Sequence, residues 1–307
     1  MDIGGTKVAA GLVNAAGEIS SHIRVPMVSN SSSEDGLNAV LAAIEQVISR
    51  ADGPVAGIGI CAPGPLDPKT GVILNPPNVP CWRDFPLAAS VQQKYSVPVK
   101  VDNDANAAAL AETRWGAARG YKYVFYATIG TGIGTGIVQD GKIYHGRTGS
   151  AGEGGHVSID YRGPICKCGK PGCIEILVSG TAIAQRARDR VKAGELSQML
   201  EFAGENVNAI NGEIVAKASA AGDPLARKIL GGAAEMLSVW LSNMVDLLDP
   251  DVIVIGGGAA ALYQPYFDEI KARVTKLSLN PRANEVPIVP ARYGADSGIA
   301  GGAALCA

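Results

Sequence analysis

The chain has 307 residues, 47% of them hydrophobic and 18% charged, a composition that describes a well-buried globular protein long enough for two domains. Its net charge of −2 gives no electrostatic reason to expect nucleic acid as a partner. No run of about 18 apolar residues predicts a membrane span, and no basic and apolar leader is visible, so no membrane partner and a cytoplasmic location are expected.

The alternation over Val8–Val13 runs into the turn Asn14–Gly17 and predicts a hairpin. From Leu37, apolar residues at Val40, Leu41, Ile44, Val47 and Ile48 form one helical stripe. Val55–Cys61 reads as a buried strand entering a Pro/Gly-rich loop over Ala62–Pro80. Val97–Val101 predicts a short strand and Ala105–Trp115 an alanine-rich helix directly after it. Tyr123–Ile129 reads as a strand, and Asp140-Gly141 between Gly136–Gln139 and Lys142–His145 is a type I′ hairpin signal. Helices are expected over Ser179–Lys192 and Pro224–Leu248, a strand over Val252–Ile255, and a small-residue helix over Ser297–Leu305.

Two glycine-rich turns, Gly4-Gly5-Thr6-Lys7 and Gly130-Thr131-Gly132, follow the first strand of each half. Such turns let backbone N–H groups approach phosphate oxygens, although most Gly-Gly pairs are only turns. Neither has P-loop or dinucleotide-fold spacing. Their equivalent places suggest two similar α/β lobes with a cleft between them, where α/β folds bind ligands. Gly256-Gly257-Gly258 reads equally as a bare platform for adenine or ribose and as a tight strand–helix turn.

Asp102-Asn103-Asp104-Ala105-Asn106 lies at the tip of a buried strand where a helix starts. Asp104 suits a helix cap or first turn, where the dipole favours its ionised form. A carboxylate there could also take a proton from a substrate hydroxyl, as in phosphoryl transfer. Farther on, His156, Cys166, Cys168 and Cys173 make the Cys3His set of a closed tetrahedral zinc site, with Glu153 and Glu175 flanking it. Gly169 and Gly172 give the backbone its tight turns. A disulfide or inert buried thiols are the plainer alternative. Clustered thiols without a disulfide framework fit a reducing compartment.

Taken in order, these segments resemble the ROK family of repressors and sugar kinases over nearly the whole chain. The resemblance rests on Asp2-Ile3-Gly4-Gly5-Thr6-Lys7, Pro63-Gly64-Pro65, the Asp102–Asn106 motif, Ile129–Gly136, Gly152-Glu153 through His156, the cysteine loop to Glu175, and Gly256–Gly258. It implies an α/β, two-lobed actin-like or hexokinase-like ATPase fold with a central cleft. One lobe is expected over 1–105, completed by the C-terminal helix at about 295–307, and a larger lobe with the zinc loop over 106–294.

By the same resemblance Asp104 is the catalytic base on the 6-hydroxyl of a sugar, and Gly64, Asn103, Glu153, His156 and Glu175 contact that sugar. Asp2, Gly4, Gly5, Thr6 and Lys7, with Gly130, Thr131 and Gly132, match the phosphate and magnesium loops, and Gly256, Gly257 and Gly258 the adenosine end. His156, Cys166, Cys168 and Cys173 match the ligands of a structural Zn2+, and Mg2+ accompanies ATP. The implied activity is a glucokinase, the implied partners are glucose or a related hexose and ATP, and the implied assembly is a homodimer or homotetramer. Kinases for N-acetylglucosamine, N-acetylmannosamine, mannose or allose are alternatives. A sugar-binding regulator is less favoured, since no helix-turn-helix segment or basic patch is seen before the first motif. Two departures stand out. The first strand looks cut short before Asp2, which is expected to weaken the first lobe, and Thr135 stands where the second phosphate loop often has glycine.

Overall fold

The computed structural model describes residues 1–307. In chain order its first elements are β1 (Asp2–Ile3), β2 (Lys7–Val13), β3 (Ile19–Pro26), α1 (Ser33–Ile48), β4 (Ile58–Ala62), β5 (Leu66–Asp67), β6 (Val72–Ile73), α2 (Leu87–Gln92), β7 (Val99–Asn103) and α3 (Asp104–Arg114). There follow β8 (Tyr123–Ile129), β9 (Ile133–Gln139), β10 (Lys142–Ile143), α4 (Ile174–Val178), α5 (Gly180–Lys192), α6 (Gln198–Phe202) and α7 (Gly212–Ala220). The chain ends with α8 (Pro224–Leu248), β11 (Val252–Gly256), α9 (Phe267–Leu277), β12 (Ile288–Pro290) and α10 (Ser297–Cys306).

The two glycine-rich halves build two five-stranded sheets of the same layout, β3-β2-β1-β4-β7 and β10-β9-β8-β11-β12. In the first, β1 pairs antiparallel with β2 but parallel with β4, and β4 runs parallel to β7. That geometry puts the turn after Ile3 and the turn after Asn103 at one end of the sheet. β1 is only two residues long, and the α-amino group of Met1 is buried against Gly59 O at 2.7 Å. Burial pushes this amine below its ordinary pKa.

By compactness the chain divides into two units, one of Met1–Tyr126, Gly136–Gly152 and Ala291–Ala307, the other of Ala127–Thr135 and Glu153–Pro290. The division expected at 105/106 falls inside α3. That helix stays in the first unit because α10 packs along it and a Cβ on Gly136 would sit 2.7 Å from Ala105 O. The segments 106–126 and 136–152 therefore go with the first unit.

Local causes are legible in both. α1 opens on a capping box: Ser32 Oγ accepts from the Asp35 N–H at 3.1 Å, and the Asp35 carboxylate accepts from the Ser32 N–H at 3.2 Å. Its stripe Val40, Ala43, Ile44 and Val47 is buried in a core shared with Ile3, Val8, Ile60, Ile73, Trp82 and Val101. α8 starts on Asp223 as its cap with Pro224 next, and buries the stripe Leu225, Ile229, Leu237, Leu241 and Val245. Asp140 and Gly141 both have positive φ, as a type I′ turn requires.

Some elements differ from expectation. β7 runs Val99–Asn103, two residues later than expected at each end, so Asp102 and Asn103 are its last residues. The segment 62–80 holds the short β5–β6 hairpin. The helices α2, α4, α6, α7 and α9 and the strand β12 lie outside the predicted elements; α2, α4 and α6 have only five or six residues, too few to show a helical stripe.

Candidate active site

In the first unit the site residues gather where parallel strands end. Asp2, Cys61 and Asp102 sit at one level of the sheet through the Asp2↔Cys61 and Cys61↔Asp102 registers. Just beyond them, Asn103 caps α3: its Oδ1 accepts from the N–H groups of Ala105 at 2.9 Å and Asn106 at 3.3 Å. Asp104 is the first residue of the helix and is exposed, with its Oδ1 2.8 Å from the Ala105 N–H. Gly64 lies beside this junction; a Cβ there would be 3.7 Å from Asn103 Nδ2. Asp102 is 4% exposed and accepts from the Asn103 N–H at 2.7 Å and from Asn106 Nδ2 at 3.3 Å. Its other oxygen is 2.7 Å from His145 Nε2.

The Gly4–Lys7 turn is closed by the Gly4 N–H on Lys7 O at 2.9 Å, leaving Thr6 and Lys7 exposed. No side chain fits at Gly5, where a Cβ would meet Asn78 O at 2.5 Å. Asp2 lies against α10, since a Cβ on Gly298 would be 2.4 Å from its Cγ. Burial pushes the Asp2 carboxyl above its ordinary value.

The second unit brings the remaining candidates together around the end of β8. The Gly130 N–H bonds to Gly132 O at 2.9 Å, and Gly130 O accepts from the Gly180 N–H at 2.8 Å at the start of α5. Gly257 has φ +90°, and a Cβ there would strike Ile129 O at 2.3 Å, so the Gly256–Gly258 turn is pressed onto the same strand end. A Cβ at Gly258 would meet nothing within 4 Å. Glu175, in the first turn of α4, accepts the Ile133 N–H at 2.9 Å, which ties the cysteine loop to the Gly130–Gly132 turn.

Glu153 begins the one-turn 3-10 helix Gly154–His156. Thr135 Oγ1 accepts the Gly154 N–H at 2.8 Å, and Trp240 Nε1 on α8 donates to Gly154 O at 3.1 Å. Sequence reasoning missed Trp240 and the Asp102–His145 pair. For Thr135 a signal existed, in its departure from glycine; its hydroxyl fixes the turn that presents Glu153.

The ligand atoms of His156, Cys166, Cys168 and Cys173 all lie within 4.8 Å of one another. Cys166 Sγ is 3.6 Å from His156 Nδ1, and Cys168 Sγ is 3.5 Å from Cys173 Sγ. Ligands about 2.0–2.3 Å from a tetrahedral ion sit at such separations, so the donor set and its spacing both fit zinc. Two thiols are buried while Cys168 is exposed. Burial pushes the Cys173 thiol up to about 12, while the Lys170 N–H holds that of Cys168 below its usual value. Gly169 (φ +91°) and Gly172 (φ +60°) make the turns; a Cβ on Gly172 would overlap Asp160 O at 1.8 Å. His156 faces the sulfurs with Nδ1, which leaves Nε2 for a second partner.

Asp2, Gly4, Gly5, Thr6, Lys7, Gly64, Asn103 and Asp104 thus belong to the first unit, and every other candidate to the second. No helix is long and apolar enough to cross a membrane.

Two matching five-stranded sheets with glycine turns at strand ends define the class, the two-lobed hexokinase-like fold. The ROK family model matches residues 1–307. The chain belongs to the ROK family. It is 34% identical over 311 residues to a glucokinase of Halalkalibacterium halodurans, covering 98% of this chain and 92% of that protein. A ROK family glucokinase from Streptomyces griseus, solved with glucose and AMPPNP, superposes with a TM-score of 0.83 at 34% identity, covering 99% of this chain and 97% of that one. A xylose repressor of Caldicellulosiruptor bescii is 30% identical over 91% of this chain and 70% of that protein.

Proposed function

We propose that the protein is an ATP-dependent hexose kinase, with glucose as its first candidate substrate. The observation that carries this is the polar tip of β7. Of its three side chains, Asn103 caps α3, Asp102 is buried against His145, and Asp104 is the exposed carboxylate. In this reading Asp104 takes the proton of the sugar 6-hydroxyl as that oxygen attacks the γ-phosphorus. The new O–P bond forms, the bond to the β-phosphate bridging oxygen breaks, and ADP leaves. Asn103 through Nδ2, Gly64, Glu153, His156 through Nε2, and Glu175 orient the hydroxyls.

Asp2, Gly4, Gly5, Thr6 and Lys7, with Gly130, Thr131 and Gly132, form the phosphate and magnesium turns, and Gly256–Gly258 the adenosine end. Bound with ATP, Mg2+ supplies neutralisation of phosphate charge. Zn2+ held by His156, Cys166, Cys168 and Cys173 has four protein ligands and is structural. The similarity to two glucokinases supports glucose. The repressor relative supports a second reading, sugar sensing without turnover. The test is kcat/KM across a hexose panel that includes N-acetylglucosamine, N-acetylmannosamine, mannose and allose, with Mg-ATP. Turnover of glucose well above the others supports the reading; sugar binding without any turnover overturns it.

A further inference from the structure

His145 and Asp102 have no part in the chemistry above, yet they form the chain's one histidine–carboxylate pair with a buried member. The Asp102 side chain is 6% exposed and that of His145 30%, with 2.7 Å between Oδ2 and Nε2. With Asp102 ionised, Nε2 carries the proton, since a carboxylate only accepts. The opposite oxygen of Asp102 receives the backbone N–H of Asn103 and the side-chain amide of Asn106. One carboxylate therefore joins three things: the arm after β10, the peptide that begins the Asn103–Asp104 junction, and the first turn of α3. For the Asn106 side chain this is the one bond available. Its Oδ1 is buried without a partner, and only its Nδ2 faces Asp102. A rotation of Asp102 would strand these donors in a buried place, at the full cost of unmade hydrogen bonds. The bond to His145 Nε2 opposes that rotation, since turning the carboxylate would break it. Its outer side lines a cavity of about 260 Å³ shared with Lys69, Arg147 and Thr148, so it can be replaced without opening the core.

We infer that His145 is a positioning residue for Asp104, acting through Asp102; this rests on the reading of Asp104 as the base. The experiment compares H145A, H145Q, D102N, the double variant D102N/H145A and Asp104→Ala in the full chain. Each is scored for folding, kcat, sugar KM and amide exchange at residues 103–106. H145A is expected to lower kcat about 10–100-fold, the cost of a small misplacement. Its sugar KM should stay within about threefold of the parent, consistent with an effect on the reaction step alone. Exchange at 103–106 should quicken while the rest of α3 is unchanged. H145Q, whose amide can still donate to Asp102, should recover most of the rate, and the double variant should be no worse than the poorer single one. If Asp104→Ala abolishes turnover while H145A leaves kcat and exchange unaltered, the positioning role is wrong and the kinase reading stands. If H145A loosens 103–106 but Asp104→Ala keeps its turnover, the positioning role stands and the assignment of the base is wrong.

Discussion

Glu175 accepts the backbone N–H of Ile133 at 2.9 Å, although the two residues lie 42 positions apart. Through this bond the helix that follows Cys173 holds the glycine turn after β8. A Cβ on Gly132 would lie 2.4 Å from the same carboxylate oxygen, so the turn is shaped around it. If that turn holds phosphate, the cysteine loop sets nucleotide affinity as well as sugar affinity. Glu175→Ala is expected to weaken ADP binding about 3–10-fold in titration calorimetry without sugar, the worth of one hydrogen bond. Glu175→Gln keeps an acceptor for Ile133 and should bind ADP as the parent does. Equal ADP affinity for all three proteins would sever this link.

Neighbours at the strand tip should separate stability from activity. Asp104→Ala removes the proposed base and is expected to lower kcat about 10²–10⁴-fold with little change in Tm. Asn103→Ala removes the cap of α3 and should cost about 1 kcal/mol of stability as well. Paired thermal melts and steady-state rates distinguish them, and a fully active Asp104→Ala would rule out the mechanism.

Metal removal offers a separate check. The purified protein should carry about one zinc per chain by elemental analysis, matching one closed four-ligand site. Because Cys168 is the exposed ligand, a chelator has a point of attack there. Stripping the metal, or Cys168→Ser, is expected to raise the sugar KM or unfold the second unit. Unchanged glucose kinetics in metal-free protein would mean the loop does not shape the pocket.

Asp223 is a buried cap whose acid dependence can be predicted. Burial opposes its charge, but the Ala226 N–H, the Ser197 hydroxyl and the Gln198 N–H together hold its carboxyl below the ordinary value. A depressed pKa gives stability that is present above the unfolded value and lost as pH falls through the folded one. Asp223→Ala should therefore cost about 1–2 kcal/mol near neutrality. The difference between the two proteins should hold down to about pH 4 and shrink below it. Denaturant melts at pH 7, 5 and 3 give the comparison.

Close backbone contact predicts the most severe loss. A Cβ on Gly59 would lie 1.6 Å from Gly302 O, where α10 rests on β4. Gly59→Ala must push the helix off the sheet and is expected to cost about 3 kcal/mol or more. Gly53→Ala, which meets nothing within 4 Å, is the control and should melt with the parent.

Sequence reasoning worked best where a signal is local. Ser179, Pro224 and the Asp140-Gly141 turn mark element ends that the structure places within a residue. The grouping of His156 with three cysteines was likewise legible, since four ligand-type residues with glycines between them have few other uses. What escaped was long-range. The C-terminal helix was expected in the first lobe, but its packing along α3, which keeps 106–114 there too, could not be read. The Asp102–His145 pair joins a strand tip to a hairpin arm, and neither residue type is unusual where it stands. Thr135 was visible only as an oddity; its hydroxyl partner, the Gly154 N–H, lies 19 positions later, beyond the reach of a local pattern.

Helix α3 is buried from Ala105 through Thr113, largely on alanine methyls. Such a helix has no slack, and any larger side chain along it would displace α10 or the sheet. Substitutions that reshape the site without loosening the first unit are therefore not expected along this helix. They belong in the exposed chain nearby, at Lys69 and Arg147–Thr148. The helix is the fixed frame of the site, and the loops near its first turn are where the outline of that site can be altered at little cost in stability.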